Sequence, residues 1–261
     1  MIDFHSHIIP NIDDGSRSVE ETFNLIKEAE KSGFNKIIST SHYMEDYYET
    51  DSKERKVWID ALNGKIKEQN INMQLYIGSE IYITENLIDL LEQGQASTIN
   101  NTSYVLFEFP LNAKPLNISD IVANMVRNKL VPVLAHPERY IFVHKNPDAI
   151  YYLIEEGVLM QCNFGSFIGQ YGKTAQHISK EMLLNDMVHL LGSDVHRQDT
   201  IYSKIPEIIS ELKRIVGEEK VKELTEINPE LVLNNKRIEI SDPAHLKVSF
   251  TDKIKNKILN I

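Results

Sequence analysis

MIDFHSHIIPNIDDG, residues 1–15, is the stretch on which the fold turns. Residues 1–5 read as a short strand, and the chain then runs straight through His5-Ser6-His7. An open, doubly wound sheet usually carries a glycine-rich turn at that point. Side chains two apart on a strand point the same way, so His5 and His7 can share one cation. Asp14-Gly15, taken alone, is an ordinary turn pair.

Six more strand candidates follow: KIISTS (36–41), QLYIGS (74–79), YVLFEF (104–109), VPVLAH (131–136), VLMQCN (158–163) and HLLGSD (189–194). Most are continuous apolar runs, the pattern of parallel strands covered on both faces. Helical stretches lie between them, near 53–69, 85–93, 117–129, 147–156, 173–185 and 200–216. The first helix is the clearest. Ser18-Val19-Glu20-Glu21 reads as a capping box, Phe23, Ile26 and Ala29 form an apolar stripe, and Gly33 ends it. Seven strands, each followed by a helix, predict a closed α/β barrel rather than an open sheet.

Bulk properties narrow the function classes. No apolar run approaches the roughly 20 residues that cross a bilayer. Met1-Ile2-Asp3-Phe4 shows no basic and apolar leader, so neither membrane insertion nor a secretory signal is expected. Cys162 is the single cysteine, which forbids an intrachain disulfide and fits a reducing cytoplasm. A net charge of −10 argues against non-specific nucleic-acid binding, which needs a basic footprint.

The metal-type side chains fall at one set of places. His5 and His7 end the first strand, His42 follows the second, Glu80 follows the third and Glu108 lies near the end of the fourth. His136 ends the fifth, and Asp194 and His196 end the seventh. In a (β/α) barrel these C-terminal strand ends share one face, where active sites are built. Glu108, between Phe107 and Phe109, is costly to bury unless it is paired or bound to metal. With Asp14, the set is four carboxylates and five imidazoles without a thiolate. Such donors suit manganese, iron or zinc, and they are too many for one ion. Two or three ions, with a carboxylate such as Glu80 bridging, match the number.

Other hydrolytic machinery is missing. A cysteine phosphatase needs Arg six residues after its Cys, and Ile168 stands there. Neither a Gly-x-Ser-x-Gly elbow nor a Gly-x₄-Gly-Lys loop occurs. Hydrolysis by metal-activated water remains. In LAHPERY (134–140), Arg139 lies just past His136, where a guanidinium can grip phosphate oxygens in a fork. Its alternative is a surface salt bridge with Glu138. With three divalent ions, about +6 of metal charge outweighs the four carboxylates, so the pocket of an acidic protein becomes locally positive, suited to a phosphomonoester dianion.

These residues resemble the PHP (polymerase and histidinol phosphatase) superfamily. Within it they are most similar to the bacterial manganese-dependent protein-tyrosine phosphatases of capsule and exopolysaccharide operons. The matching elements are MIDFHSHIIPNIDDG, TSHY (40–43), GSEIY (78–82), FEFP (107–110), LAHPERY (134–140) and GSDVH (192–196). The resemblance implies a single-domain, distorted seven-stranded, TIM-like (β/α) barrel over residues 1–235, with a tail of unassigned role at 236–261. It implies a trinuclear centre, with manganese first and iron or zinc as alternatives. His5, His7, Glu80 and Asp194 would hold one ion; Glu80, Glu108 and His136 a second; Asp14, His42 and His196 the third. Arg139 matches the phosphate-contacting arginine. The implied substrate is phosphotyrosine, notably on the tail of a cognate bacterial tyrosine kinase, in the cytoplasm.

Three other readings share parts of the pattern. One is a histidinol-phosphate phosphatase of the same superfamily. Another is an amidohydrolase, whose barrels usually add a bridging lysine where this chain has Glu80 and Glu108. The third is a non-catalytic kinase-tethering module. Residues 44–56 (MEDYYETDSKERK) read as a solvated excursion above the mouth. Gly165, Gly169 and Gly172 punctuate a connection at the same mouth, a candidate lid.

Overall fold

The computed structural model describes residues 1–113, 116–198, 201–240 and 246. Most of the tail therefore lies outside the described residues, as do 199 and 200. Among the described residues there are nine short strands: β1 Ile2–Ser6, β2 Lys36–Ser39, β3 His42–Tyr43, β4 Gln74–Ile77, β5 Glu80–Tyr82, β6 Tyr104–Glu108, β7 Val131–Ala135, β8 Leu159–Asn163 and β9 Leu190–Gly192. All pair in parallel, in the orders β1-β2-β4 and β3-β5-β6-β7-β8-β9.

The result is a mixed α/β fold around a curled parallel sheet. The count departs from the expected seven because Thr40-Ser41 and Gly78-Ser79 interrupt two of the apolar runs. The backbone stays connected across those breaks. Thr40 N–H donates to Ser6 O (2.8 Å) and Glu80 N–H to Thr40 O (2.8 Å). Beyond β9, Asp194 N–H donates to His5 O (2.8 Å) and His7 N–H to Val195 O (2.9 Å), bringing that end against β1.

Apolar alternation divides the core. One layer lies inside the curl and includes Ile2, Phe4, Ile38, Tyr104, Leu106, Val133, Leu159 and Leu190. Val232, Leu233 and Ile238 close this layer at the N-terminal strand ends, where the Tyr104 hydroxyl donates to Lys236 O (2.7 Å). The larger layer lies between sheet and helices. Helix Val19–Lys31 turns Phe23, Leu25, Ile26 and Ala29 into it. Ser18 Oγ caps it by accepting from Glu21 N–H (3.0 Å), as expected. Glu21, however, reaches back to Arg17 N–H (2.7 Å) rather than to Ser18. Gly33 (φ 94°) then supplies the left-handed residue that ends the helix. Helices Ser52–Glu68, Ile118–Arg127, Lys173–Leu184 and Ile205–Val216 match the remaining long periodic stretches.

Candidate metal centre

All nine expected donors converge at the C-terminal strand ends. Glu80, the first residue of β5, is at their centre and fully buried. Its Oε2 lies 3.1 Å from His5 Nε2, 3.3 Å from His7 Nε2 and 3.1 Å from His42 Nδ1. Its Oε1 lies 2.9 Å from His136 Nε2. Around this core, Glu108 Oε1 is 3.0 Å from His42 Nδ1, and Asp194 Oδ1 is 3.5 Å from His7 Nε2. Asp14 Oδ1 is 3.3 Å from His196 Nε2 and 3.6 Å from His42 Nε2.

His5 and His7 reach one place, with their Nε2 atoms 3.0 Å apart. Alternation along β1 does not by itself set this, because β1 ends at Ser6. The strand instead carries a register irregularity between Asp3 and Ser6, and His7 is set by the bond to Val195. Gly15 has a packing reason beyond its turn: a Cβ there would sit 2.2 Å from His7 O. His136 (φ 35°) and Asp194 (φ 54°) both occupy left-handed backbone, which costs about 1–3 kcal/mol for an ordinary residue and clusters at functional sites.

Three groupings bring donor atoms within 4.8 Å of one another: His5, His7 and Glu80; His42, Glu80 and Glu108; and His7, Asp14, His42 and His196. They overlap the three sets implied by resemblance without coinciding. His42 falls in two groupings, and His136 meets the cluster through Glu80 and Glu108 (2.9 and 3.9 Å). The donor set fits divalent cations: it is rich in carboxylate and imidazole, convergent and largely shielded from water.

Electrostatics point the same way. Burial alone would lower the His5 imidazole, yet Glu80 and Asp194 hold it up at about 9. Burial likewise opposes charge on His42, but Glu80 and Glu108 hold it at about 10. Burial pushes Glu80 toward its neutral acid, and His5 and His42 overcome this to keep it well below the usual carboxylate range. The pocket thus favours cations at these nitrogens, and protons and metal ions compete for the same lone pairs.

A second ring of residues, missed in the sequence, orients the first. Asp13 Oδ2 lies 2.8 Å from His7 Nδ1, and Gln161 Oε1 lies 2.7 Å from His5 Nδ1. Each contact leaves Nε2 facing the centre. Asn163 Nδ2 donates to Asp194 Oδ2 (2.7 Å). Its position at a C-terminal strand end was a usable signal; an amide simply is not a metal-type side chain.

Arg139 follows the turn after β7. Its Nη1 donates to Asp194 Oδ2 (2.7 Å), and its guanidinium carbon is 4.4 Å from the Tyr171 ring centroid. Asp194 is therefore divided, with Oδ1 toward the imidazoles and Oδ2 toward Arg139 and Asn163. The Glu138 partnership gives way: Glu138 is fully buried and accepts instead from Asn163 N–H (2.9 Å) and Ser166 Oγ (2.6 Å). The cavity above the centre is about 270 Å³, walled by Met44, Tyr48, Tyr82 and Leu111. Gly169 (φ 81°) and Gly172 (φ 93°) flank Tyr171, whereas Gly165 lies inside the short helix Phe164–Phe167.

A sequence model described as "Capsular polysaccharide synthesis, CpsB/CapC" matches residues 1–234. The chain is 31% identical over 245 residues to the tyrosine-protein phosphatase CpsB of Streptococcus pneumoniae, covering 91% of this chain and 100% of that one. A solved structure from work on YwqE of Bacillus subtilis and CpsB of Streptococcus pneumoniae, described as unique metal-dependent tyrosine phosphatases, superimposes with a TM-score of 0.89. It is 30% identical and covers 95% of this chain and 100% of its own. A histidinol phosphate phosphatase from Lactococcus lactis shares the fold alone, with a TM-score of 0.57, 15% identity and coverage of 83% and 94%.

Proposed function

The chain belongs to the CpsB/CapC capsular polysaccharide synthesis family and is a metal-dependent tyrosine-protein phosphatase, and we propose that nine donors at the strand ends form its metal centre. The ligands in this reading are His5, His7, Asp14, His42, Glu80, Glu108, His136, Asp194 and His196. The observation that carries it is the convergence of His5, His7, His42 and His136 on the two oxygens of the buried Glu80. Manganese is the proposed metal, with iron or zinc as alternatives and three ions per chain, since a thiolate-free set of carboxylates and imidazoles suits such cations and is too large for one ion. When bound, the ions would supply Lewis acidity toward phosphoryl oxygens and lower the pKa of a water nucleophile.

The chain's own residues do the remaining work. Asp13 and Gln161 hold the imidazoles of His7 and His5 in orientation. Asp194 and the Tyr171 ring hold Arg139 at the edge of the cavity, ready to take the substrate's phosphate. Tyr48, Tyr82 and Leu111 wall the space in which a phenyl ring would lie. On this reading the substrate is a phosphotyrosine protein, specifically the tail of a cognate bacterial tyrosine kinase, and the site of action is the cytoplasm. Reading β2–β3 and β4–β5 as single interrupted staves gives the seven-membered barrel expected for such a centre; the contact between Ser6 and Val195 supports it. Among the described residues, no helix is long and apolar enough to cross a membrane.

Arg139→Lys tests the reading. Lysine keeps the charge but loses the planar pair of donors. The change should cost about 2–4 kcal/mol of transition-state stabilisation, roughly 30- to 1,000-fold in kcat/KM on a phosphotyrosine peptide. Manganese content should not change. Activity within threefold of wild type would remove Arg139 from the phosphate, and faster turnover of histidinol phosphate than of the peptide would overturn the substrate.

A further inference from the structure

Arg55 belongs to a run, Ser52-Lys53-Glu54-Arg55-Lys56, that reads as a solvated surface, yet it is fully buried. It sits in the first turn of helix Ser52–Glu68, where the helix dipole disfavours a cation. Among the described residues it forms no ion pair with a carboxylate within 4 Å. A buried charge without such a partner is expensive, so its hydrogen bonds must matter.

All of those bonds go to backbone carbonyls. Nη1 donates to Ser41 O (2.7 Å), Nη2 to His42 O (2.7 Å) and Nε to Thr50 O (2.9 Å). The first two are the peptides on either side of His42. β3 is only two residues long and is the edge of its sheet, pairing with β5 alone. Its outward-facing backbone groups need partners from elsewhere. Asp13 supplies one, since its Oδ2 accepts from His42 N–H (2.8 Å). Arg55 supplies the others. His42 is thus gripped at its N–H by Asp13, which also holds His7, and at its carbonyl by Arg55.

The same guanidinium closes the loop that follows. Thr50 O marks the end of the excursion that leaves the sheet at Tyr43, and within it Met44 and Tyr48 pair with each other. Tyr48 lies against the His42 ring, with centroids 5.8 Å apart and planes 17° from parallel. We propose that Arg55 is a positioning residue for the metal centre, fixing the backbone of the ligand His42 and, through the loop it closes, the Tyr48 wall of the cavity. This rests on the reading of His42 as a metal ligand.

The experiment is manganese binding by equilibrium dialysis on wild type, Arg55→Met, Arg55→Lys, His42→Ala and the double variant Arg55→Met/His42→Ala. Circular dichroism and thermal unfolding are recorded alongside. Arg55→Met should weaken manganese binding where His42 is a ligand by about 10- to 100-fold, the range for groups that orient ligands, and leave binding that does not use His42 unchanged. Arg55→Lys, which can still donate to one or two carbonyls, should lose less. In the His42→Ala background, Arg55→Met should cause no further loss, because a residue that acts through His42 has nothing left to act on. Wild-type affinity at every site in Arg55→Met, or an equal loss with and without His42, overturns the proposal. If Arg55→Met does not fold, Arg55→Lys and its own double variant carry the same test. A wild-type protein that binds no manganese overturns the parent reading, an outcome distinct from one in which wild type and variants bind alike.

Discussion

Two buried histidines at opposite ends of the sheet show what the surroundings do to one side chain. His5, beside the C-terminal strand ends, is fully buried, yet Glu80 and Asp194 hold its imidazole at about 9. His189 directly precedes β9 at the other end and is almost as buried, but burial and then Lys220 press it down to about 4. Its Nδ1 accepts from Met160 N–H (3.0 Å), a role open only to the neutral ring. One end of the fold gathers negative potential that a cation can satisfy; the other excludes charge. The difference is not in the residue or its burial but in which end of the strand it occupies.

Glu80→Gln should abolish the contrast and has the largest expected effect. The amide would face four imidazoles without the charge that makes them cation-receptive. Metal content should fall, and kcat/KM should drop by at least about 1,000-fold, or roughly 4 kcal/mol. A variant that retained its full metal complement and normal turnover would mean the mouth is not organised around Glu80.

Acid probes the opposite end. The unfolded chain's histidine titrates near 6.5 and folded His189 near 4, so on acidification the unfolded state takes the proton first. The stabilising contribution is complete above about pH 6.5 and is lost as pH falls toward 4. The gap amounts to about 3 kcal/mol. Urea unfolding of metal-free wild type and His189→Gln, at pH 7 and pH 4.5, isolates it. Wild type should lose more stability than the variant over that interval; parallel losses would mean that His189 does not titrate there.

A smaller effect is expected at the rim of the mouth. Glu108 is partly exposed, contacting His42 at 3.0 Å and His136 only at 3.9 Å. Glu108→Gln should weaken one ion about 10- to 100-fold and change stability by less than about 1 kcal/mol. Metal analysis together with a melting curve decides it, and unchanged occupancy with normal turnover would remove Glu108 from the ligands.

How much of this was legible follows from the kind of signal each feature leaves. The gathering of His5, His42, Glu80, Glu108, His136 and Asp194 at one mouth was readable because their side-chain types recur where apolar runs stop. The interruptions at Thr40-Ser41 and Gly78-Ser79 were not, since each run continues in sequence while its backbone bends. The helices Ile141–Lys145 and Phe164–Phe167 were too short to show a period. The orienting residues left the weakest trace. Gln161 meets His5 across 156 positions, and Arg55 is buried within a run of charged neighbours that are not. Such partners are set by closure of the sheet, which local pattern does not encode.

The smallest effect is expected at Cys162, inside a strand that leads to the centre. β8 sends Gln161 and Asn163 toward the metal centre, where they meet His5 and Asp194. Between them Cys162 points the other way, fully buried, with its sulfur 4.0 Å from Met182 Sδ. Burial and the nearby Glu138 push its thiol well above the usual range, the opposite of what a thiolate nucleophile requires. Cys162→Ser should therefore leave kcat on a phosphotyrosine peptide within about threefold, because the residue faces away from the reacting groups. The buried hydroxyl can still cost about 1–2 kcal/mol of stability if it finds no partner. Kinetics per folded molecule separate the two. A loss of several hundredfold in kcat with the melting temperature preserved would mean that the cysteine takes part in the reaction, and the metal-centred reading of the mouth would fall with it.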